Sequence, residues 1–309
     1  MRNLQKFCSA LLLLSLLTGC VAGSVGSPPP GGAASIPSPT SSPTPTPEPT
    51  PTPPAEIDAA SADSEGRVWV RYTGDAQPPI KVQILREGEE TAYNYDLPAD
   101  GIPIALPLTQ GEGTYTVSVL EHIEDTRYRP VLTQTVELAL PDPNAPFLHP
   151  NRMVDYAGTA TEIIARRLVE DIPEQGAQID CLLTYVAEKL TYDEEKSSAA
   201  ASGEMTGYIP DLDAVLIGEQ GICYDYAALL CAMLRSRGIP CKLQVGWAGN
   251  LYHAWVEVWS EEPAELAGGI TLQEGWNTLD PTFLSTQGRT ADLAAYMAGA
   301  ENYKVRYTY

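Results

Sequence analysis

The sequence predicts an α+β protein. Two observations carry this. Residues 57–141 hold short runs of alternating apolar and polar residues at roughly ten-residue spacing, which is a strand signal. From about residue 160 the apolar spacing changes to that of helices, and beyond residue 240 it returns to strands.

The first strand block is small and all-β. "RVWVRYT" sets Val68, Val70 and Tyr72 against Trp69 and Arg71. "IKVQILRE" puts Ile80, Val82 and Ile84 on one face, and "GTYTVSVLEHI" does so with Tyr115, Val117 and Val119. "VLTQTVELAL" closes the set. Gly, Pro and Asp turns between such runs predict a β-sandwich. It holds no cysteine, and His122 stands alone at a strand end, so this domain reads as a spacer rather than a site of chemistry.

The proline-rich "PDPNAPFLHPN", residues 141–151, marks the junction to a second domain, 142–309. Ile163, Ile164, Leu168 and Ile172 recur at helical spacing. So do Ile179, Leu182, Leu183, Val186 and Leu190, with Cys181 as a core filler among them. Residues 194–217, polar and small, read as a long loop. "CYDYAALLCAMLRSRG" then places Tyr226, Ala227, Leu230, Met233 and Leu234 on one helical face, stopped by Gly238 and Pro240. "IPCKLQVGW", "LYHAWVEVW" and "GWNTLDPTF" read as strands.

The N-terminus points to a compartment. "MRNLQKFCSALLLLSLLTGC" carries Arg2 and Lys6, then an apolar run too short for a permanent membrane span. It ends in "LTGC" and resembles the lipobox of bacterial lipoproteins, which implies a signal peptide over 1–19 and a diacylated Cys20. Two acyl chains make a stable anchor. Residues 20–56 follow as a Pro/Thr/Ser-rich linker that cannot bury enough surface to offset its ordering entropy. A formal net charge of -21 repels phosphate backbones and excludes nucleic acid as a partner. With 44% hydrophobic residues the chain still has material for a core.

Cys223 follows a glycine-bearing turn and opens the helix. Free N–H groups and the helix dipole favour a thiolate there. One histidine, His253, and one aspartate, Asp280, sit on following strands. An imidazole can take the thiol proton, and a carboxylate behind it fixes the tautomer. The N–H of Cys223 is a natural oxyanion donor, with Gln220 or Tyr208 as candidates for the second. Cys231 is expected to be inert and Cys241 structural. The cysteines are expected to be free thiols, with Cys181–Cys241 as the alternative pairing. Trp255, Trp259 and Trp276 read as core and pocket wall, and Tyr192, Tyr208 and Tyr224 are expected around the cleft.

"GICYDYAALLCAMLRSRGIPCKLQVGW", "YHAWVEVW" and "GWNTLDPTF" resemble the three blocks of the bacterial transglutaminase-like superfamily, over about residues 185–284. The resemblance implies a papain-like core and a triad of Cys223, His253 and Asp280 acting through a thioester. It implies no metal and no cofactor. The expected activity is extracytoplasmic acyl transfer on peptide or protein amides. The alternatives are hydrolysis by a peptidase or amidase on the same triad, and a surface binding protein with a vestigial triad. The expected partners are a peptide or protein substrate at the cell surface and the membrane itself, through the lipid anchor.

Overall fold

Strand alternation in the first domain produces two stacked sheets. The computed structural model describes residues 53–77 and 79–309. The expected signal peptide, Cys20 and the linker up to residue 52 lie outside the described residues. One sheet has the order β1 (Ala55–Asp58), β2 (Arg67–Tyr72), β5 (Ile104–Pro107); the short helix α1 (Ala62–Glu65) joins β1 to β2. The other runs β4 (Tyr93–Asp96), β3 (Ile80–Arg86), β6 (Gly113–Glu124), β7 (Arg127–Leu138). Val68, Val70, Tyr72, Ile80, Val82, Ile84, Tyr115, Val117 and Val119 are all buried between them. Each such side chain contributes about 1.5–3 kcal/mol by leaving water. The folded part starts at Ala55, two residues before the expected boundary, because β1 pairs with β2 and Ala55 is buried.

The second core is organised around one helix. Helices α2 (Ala160–Val169), α3 (Gln175–Lys189), α5 (Leu212–Gly218) and α7 (Pro281–Gln287) pack against α6 (Cys223–Arg235). From Asp225 to Arg235 every residue of α6 is buried, more than the single expected stripe, as befits a helix enclosed on all sides. The helical stripe in α3 is as expected, with Ile179, Leu182, Leu183 and Val186 buried. In α2 Thr161, Ala165 and Val169 are buried, the expected Ile164 and Leu168 pack half-buried against the same core, and only Ile163 of the expected stripe is exposed.

Residues 194–217 are not a loop throughout. They contain α4 (Glu194–Ser202) and most of α5. Asp193 and Asp211 cap these helices, accepting from the N–H groups of Lys196 and Ala214. An aspartate cap is worth about 1 kcal/mol and explains how so polar a stretch becomes helical.

A four-stranded antiparallel sheet, β14 (Gly275–Leu279), β11 (Leu251–Ser260), β10 (Cys241–Ala248), β15 (Tyr303–Thr308), lies against α6. β15 is the unexpected member. The small hairpin of β12 (Ala264–Leu266) and β13 (Ile270–Leu272) and helix α8 (Ala291–Ala298) complete the domain, with the two-residue β8 (Thr191–Tyr192) and β9 (Gln220–Gly221) in a parallel pair. Cys181, Cys223, Cys231 and Cys241 are free thiols. The Cys181–Cys241 pairing does not form: Cys181 donates to the Leu168 carbonyl, while Cys231 donates to the carbonyl of Cys241.

The two cores lie within one compact unit. Tyr309 and Met153 pack against both. Beside this joint lies Arg235, buried without a carboxylate partner. Its guanidinium donates to the carbonyls of Cys241 (2.7 Å), His149 (3.2 Å) and Tyr309 (2.7 Å). Arg235→Ala would remove a donor that the three carbonyls share; the Cys241 carbonyl would keep Cys231 and the Tyr309 carbonyl the Leu243 N–H. We expect a loss of about 2–4 kcal/mol in urea unfolding with little change in slope.

Candidate active site

The helix bearing Cys223 starts where it does for steric and polar reasons. β9 runs parallel to β8, with Gly221 opposite Tyr192. A Cβ on Gly221 would lie 2.6 Å from the Cβ of Asp225, so this position accepts only glycine. The chain is extended at Ile222 and turns helical at Cys223. The Ile222 N–H donates to Asp225 Oδ2 at 2.8 Å. Cys223 is therefore the first helical residue, partly exposed, and the first-turn N–H groups have no acceptor within the helix.

Asp225 is itself fully buried. It accepts from Lys196 Nζ at 2.6 Å and from the Tyr208 hydroxyl at 2.5 Å. This network, of which only Tyr208 was expected near the cleft, ties the 193–218 segment to the start of α6. It also changes the standing of Tyr208 as an oxyanion donor. Its phenol proton lies on Asp225, and burial, then that carboxylate, pushes the phenol well above its ordinary range. Gln220 is exposed on β9, and its side chain makes no hydrogen bond among the described residues.

His253 and Asp280 come together from different elements. His253 is on β11 opposite Gly246 of β10 and is 3% exposed. Asp280 follows β14, caps α7 and is completely buried. Pro281, at the first helical position, supplies a preset φ there. The His253 Nε2 to Asp280 Oδ2 distance is 2.8 Å. Asp280 also accepts from the Phe283 N–H at 3.0 Å through Oδ1 and from the Tyr303 hydroxyl at 3.2 Å through Oδ2. The imidazole is stacked on the Phe283 ring, with centroids 4.6 Å apart and planes 13° from parallel. With Nε2 engaged by the carboxylate, Nδ1 is the ring nitrogen left free, and the Cys223 thiol lies near enough to act on the titration of the ring.

Tyr303 reaches this site because β15 can approach β10 closely. A Cβ at Gly246 would lie 2.1 Å from the Lys304 carbonyl oxygen, and the β10–β15 register shifts there. Of the tryptophans, Trp255 is fully buried and packs on Tyr303 at 4.9 Å. Trp259 and Trp276 pair with each other at 5.5 Å, six residues along β11 from His253, which is about 20 Å away and no part of the site. Tyr192 is half-buried beside β9, and Tyr224 meets Tyr208 edge-on at 6.3 Å.

Phe283 and Asp225 had local signals: the third residue after an N-cap in "DPTF", and an acidic residue at the third position of a helix. Tyr303 had none.

The electrostatics of the pair are one-sided. Burial alone would pull the His253 imidazole below its ordinary 6.5. The hydrogen bond to Asp280, its charge and the neighbouring Cys223 sulfur outweigh it and push it up to about 10. A folded value above the unfolded one means that the protonated ring stabilises the fold. That contribution is complete below about pH 6.5 and is lost as pH rises through about 10. Urea midpoints should therefore fall across this window in the wild-type chain, and the fall should be much smaller in His253→Asn. For the other carboxylate, Lys196→Met leaves Asp225 buried without its cation. We expect a cost of about 3 kcal/mol, with faster hydrogen exchange across residues 193–218. Unchanged exchange there would show that the ion pair does not hold the segment.

Residues 163–281 match the family profile of the Transglutaminase-like superfamily. A protein-glutamine gamma-glutamyltransferase of Pseudomonas aeruginosa is 26% identical over 154 residues, covering 45% of this chain. The matched region spans only 21% of that relative's length. Among solved structures, a candidate cysteine protease from Cytophaga hutchinsonii superposes with a TM-score of 0.40 at 15% identity, covering 79% of this chain and 76% of the other. The periplasmic domain of TgpA from Pseudomonas aeruginosa gives 0.34 at 17% identity, covering 77% of this chain and 98% of the other. Cys223, His253, Asp280 and the elements that carry them fall within the matched residues, and over this stretch the chain is similar to the transglutaminase-like superfamily.

Proposed function

We propose that this chain is an extracytoplasmic cysteine acyl-transfer enzyme acting on peptide or protein amides. The observation that carries the reading is the buried His253–Asp280 pair, which lies near a thiol at a helix N-terminus. In the proposed cycle Nδ1 of His253 takes the Cys223 proton as Sγ attacks the amide carbon. The first-turn N–H of Cys223 stabilises the oxyanion. The imidazolium then protonates the departing ammonia or amine, leaving a thioester on Sγ. An incoming amine, deprotonated by the same imidazole, attacks the thioester and releases Cys223. Asp280 holds the ring in place and stabilises its cationic form. The profile match and the glutamyltransferase relative support acyl transfer as the reaction class.

Hydrolysis on the same three residues is the second reading. Cys223 is partly exposed, so water has a path to the thioester. The charge, the leader and "LTGC" support a placement outside the membrane, tethered through Cys20.

The test is alkylation of Cys223 by iodoacetamide against pH, read by mass spectrometry, with His253→Ala beside the wild type. We expect His253→Ala to slow alkylation at pH 6.5 by about tenfold or more. Cys223→Ala should abolish ammonia release from glutamine peptides. Equal alkylation in both proteins would sink the thiol–imidazole reading.

A further inference from the structure

A cavity of about 660 Å³ opens beside the candidate site, between the end of α3, β8 and α7. The thiol does not line it, but three contacts join it to the site. Tyr192 lines it and pairs with Gly221, two residues before Cys223. Leu284 and Ser285 line it and directly follow Phe283, the ring stacked on His253. The Ser285 hydroxyl also lies 3.1 Å from that of Tyr226, on the first turn of α6.

The cavity carries two charged side chains, and they are not equivalent. Arg289 is already satisfied: it pairs with Asp180 at 2.9 Å and donates to the Ala267 carbonyl (2.8 Å) and to Thr184 Oγ1 (2.5 Å). Glu188 is exposed and makes no ion pair or hydrogen bond among the described residues. The charge the cavity offers a ligand is thus negative. The chain as a whole, at -21, draws cations. Hydroxyls of Thr191 and Ser285 line the same space, and the methylenes of a long basic side chain can lie along Ala187 and Leu284.

We propose that this cavity is a specificity subsite that takes a basic side chain, lysine or arginine, flanking the reacting amide of a peptide, with Glu188 as its counter-ion. The inference rests on the acyl-transfer reading of Cys223, since it assigns the peptide that the thiol would act on. A cation that binds Glu188 is not the nucleophile, because an attacking amine must be neutral and must sit at the thioester. Glu188 therefore selects a neighbouring residue rather than joining the chemistry.

The experiment measures binding, so it does not need turnover. Acetyl-Lys-Gln-Lys-amide and acetyl-Nle-Gln-Nle-amide, which differ in charge and little in size, are titrated calorimetrically into the Cys223→Ala chain. We expect the lysine peptide to bind about tenfold tighter, the worth of a charge-assisted contact. Glu188→Gln should remove most of that preference and Glu188→Lys should reverse it. Glu170→Gln, an exposed acid at the C-terminal end of α2 that does not line the cavity, controls for overall charge and should keep it. Equal affinities for the two peptides, failure of both to bind, or a preference untouched by Glu188→Gln would each overturn the proposal. Ammonia release by the wild-type chain is measured in parallel. Preference without turnover would keep the subsite and sink the enzyme reading, and turnover without preference would do the reverse.

Discussion

A buried carboxylate must be paired or protonated, and the site is built around meeting that demand at Asp280. Its three donors are the His253 ring, the Phe283 N–H and the Tyr303 hydroxyl. They belong to three elements: β11, α7 and β15. None of these can be displaced without exposing or orphaning the charge. Assembly of the sheet, docking of α7 and orientation of the imidazole are therefore one event. The ring is held by more than one hydrogen bond, since Phe283 fixes its plane while Asp280 fixes its edge.

On the other side of the thiol lies a second buried carboxylate with a different task. Asp225 caps α6 at Ile222 and anchors Lys196 and Tyr208. It sets where the helix begins, and so where Cys223 stands, while Asp280 sets where the imidazole stands. One carboxylate positions the candidate thiol and the other the candidate imidazole. Their separate partners explain why one belongs to the backbone geometry of the cleft and the other to its proton chemistry.

The β-sandwich is coupled to this arrangement through the last strand. β15 brings Tyr303 to Asp280 at one end and Tyr309 to the joint at the other. Tyr309 exchanges two backbone hydrogen bonds with Leu243 and packs edge-on against Tyr93 of β4. The C-terminal residues thus link the two apolar cores and the candidate site.

The sequence alone determined what depends on near neighbours. Alternation specified the buried faces of β2, β3 and β6, and the spacing in α3 specified its stripe, because a side chain's face follows from its position within its own element. The turn before Cys223 and the cap at Asp280 were readable for the same reason, and the three blocks located His253 between them. What the tertiary structure decided came from residues far apart in the chain. Tyr303 on Asp280, Lys196 on Asp225 and Glu188 in one cavity with Tyr192 have no local signature. Tyr208 was near enough to be named, yet its partner was not, so its proton was assigned to an oxyanion rather than to Asp225. Ile163 and the distant Trp259–Trp276 pair were misjudged likewise. Local propensity fixes which face of an element is apolar, but only packing fixes what that face meets.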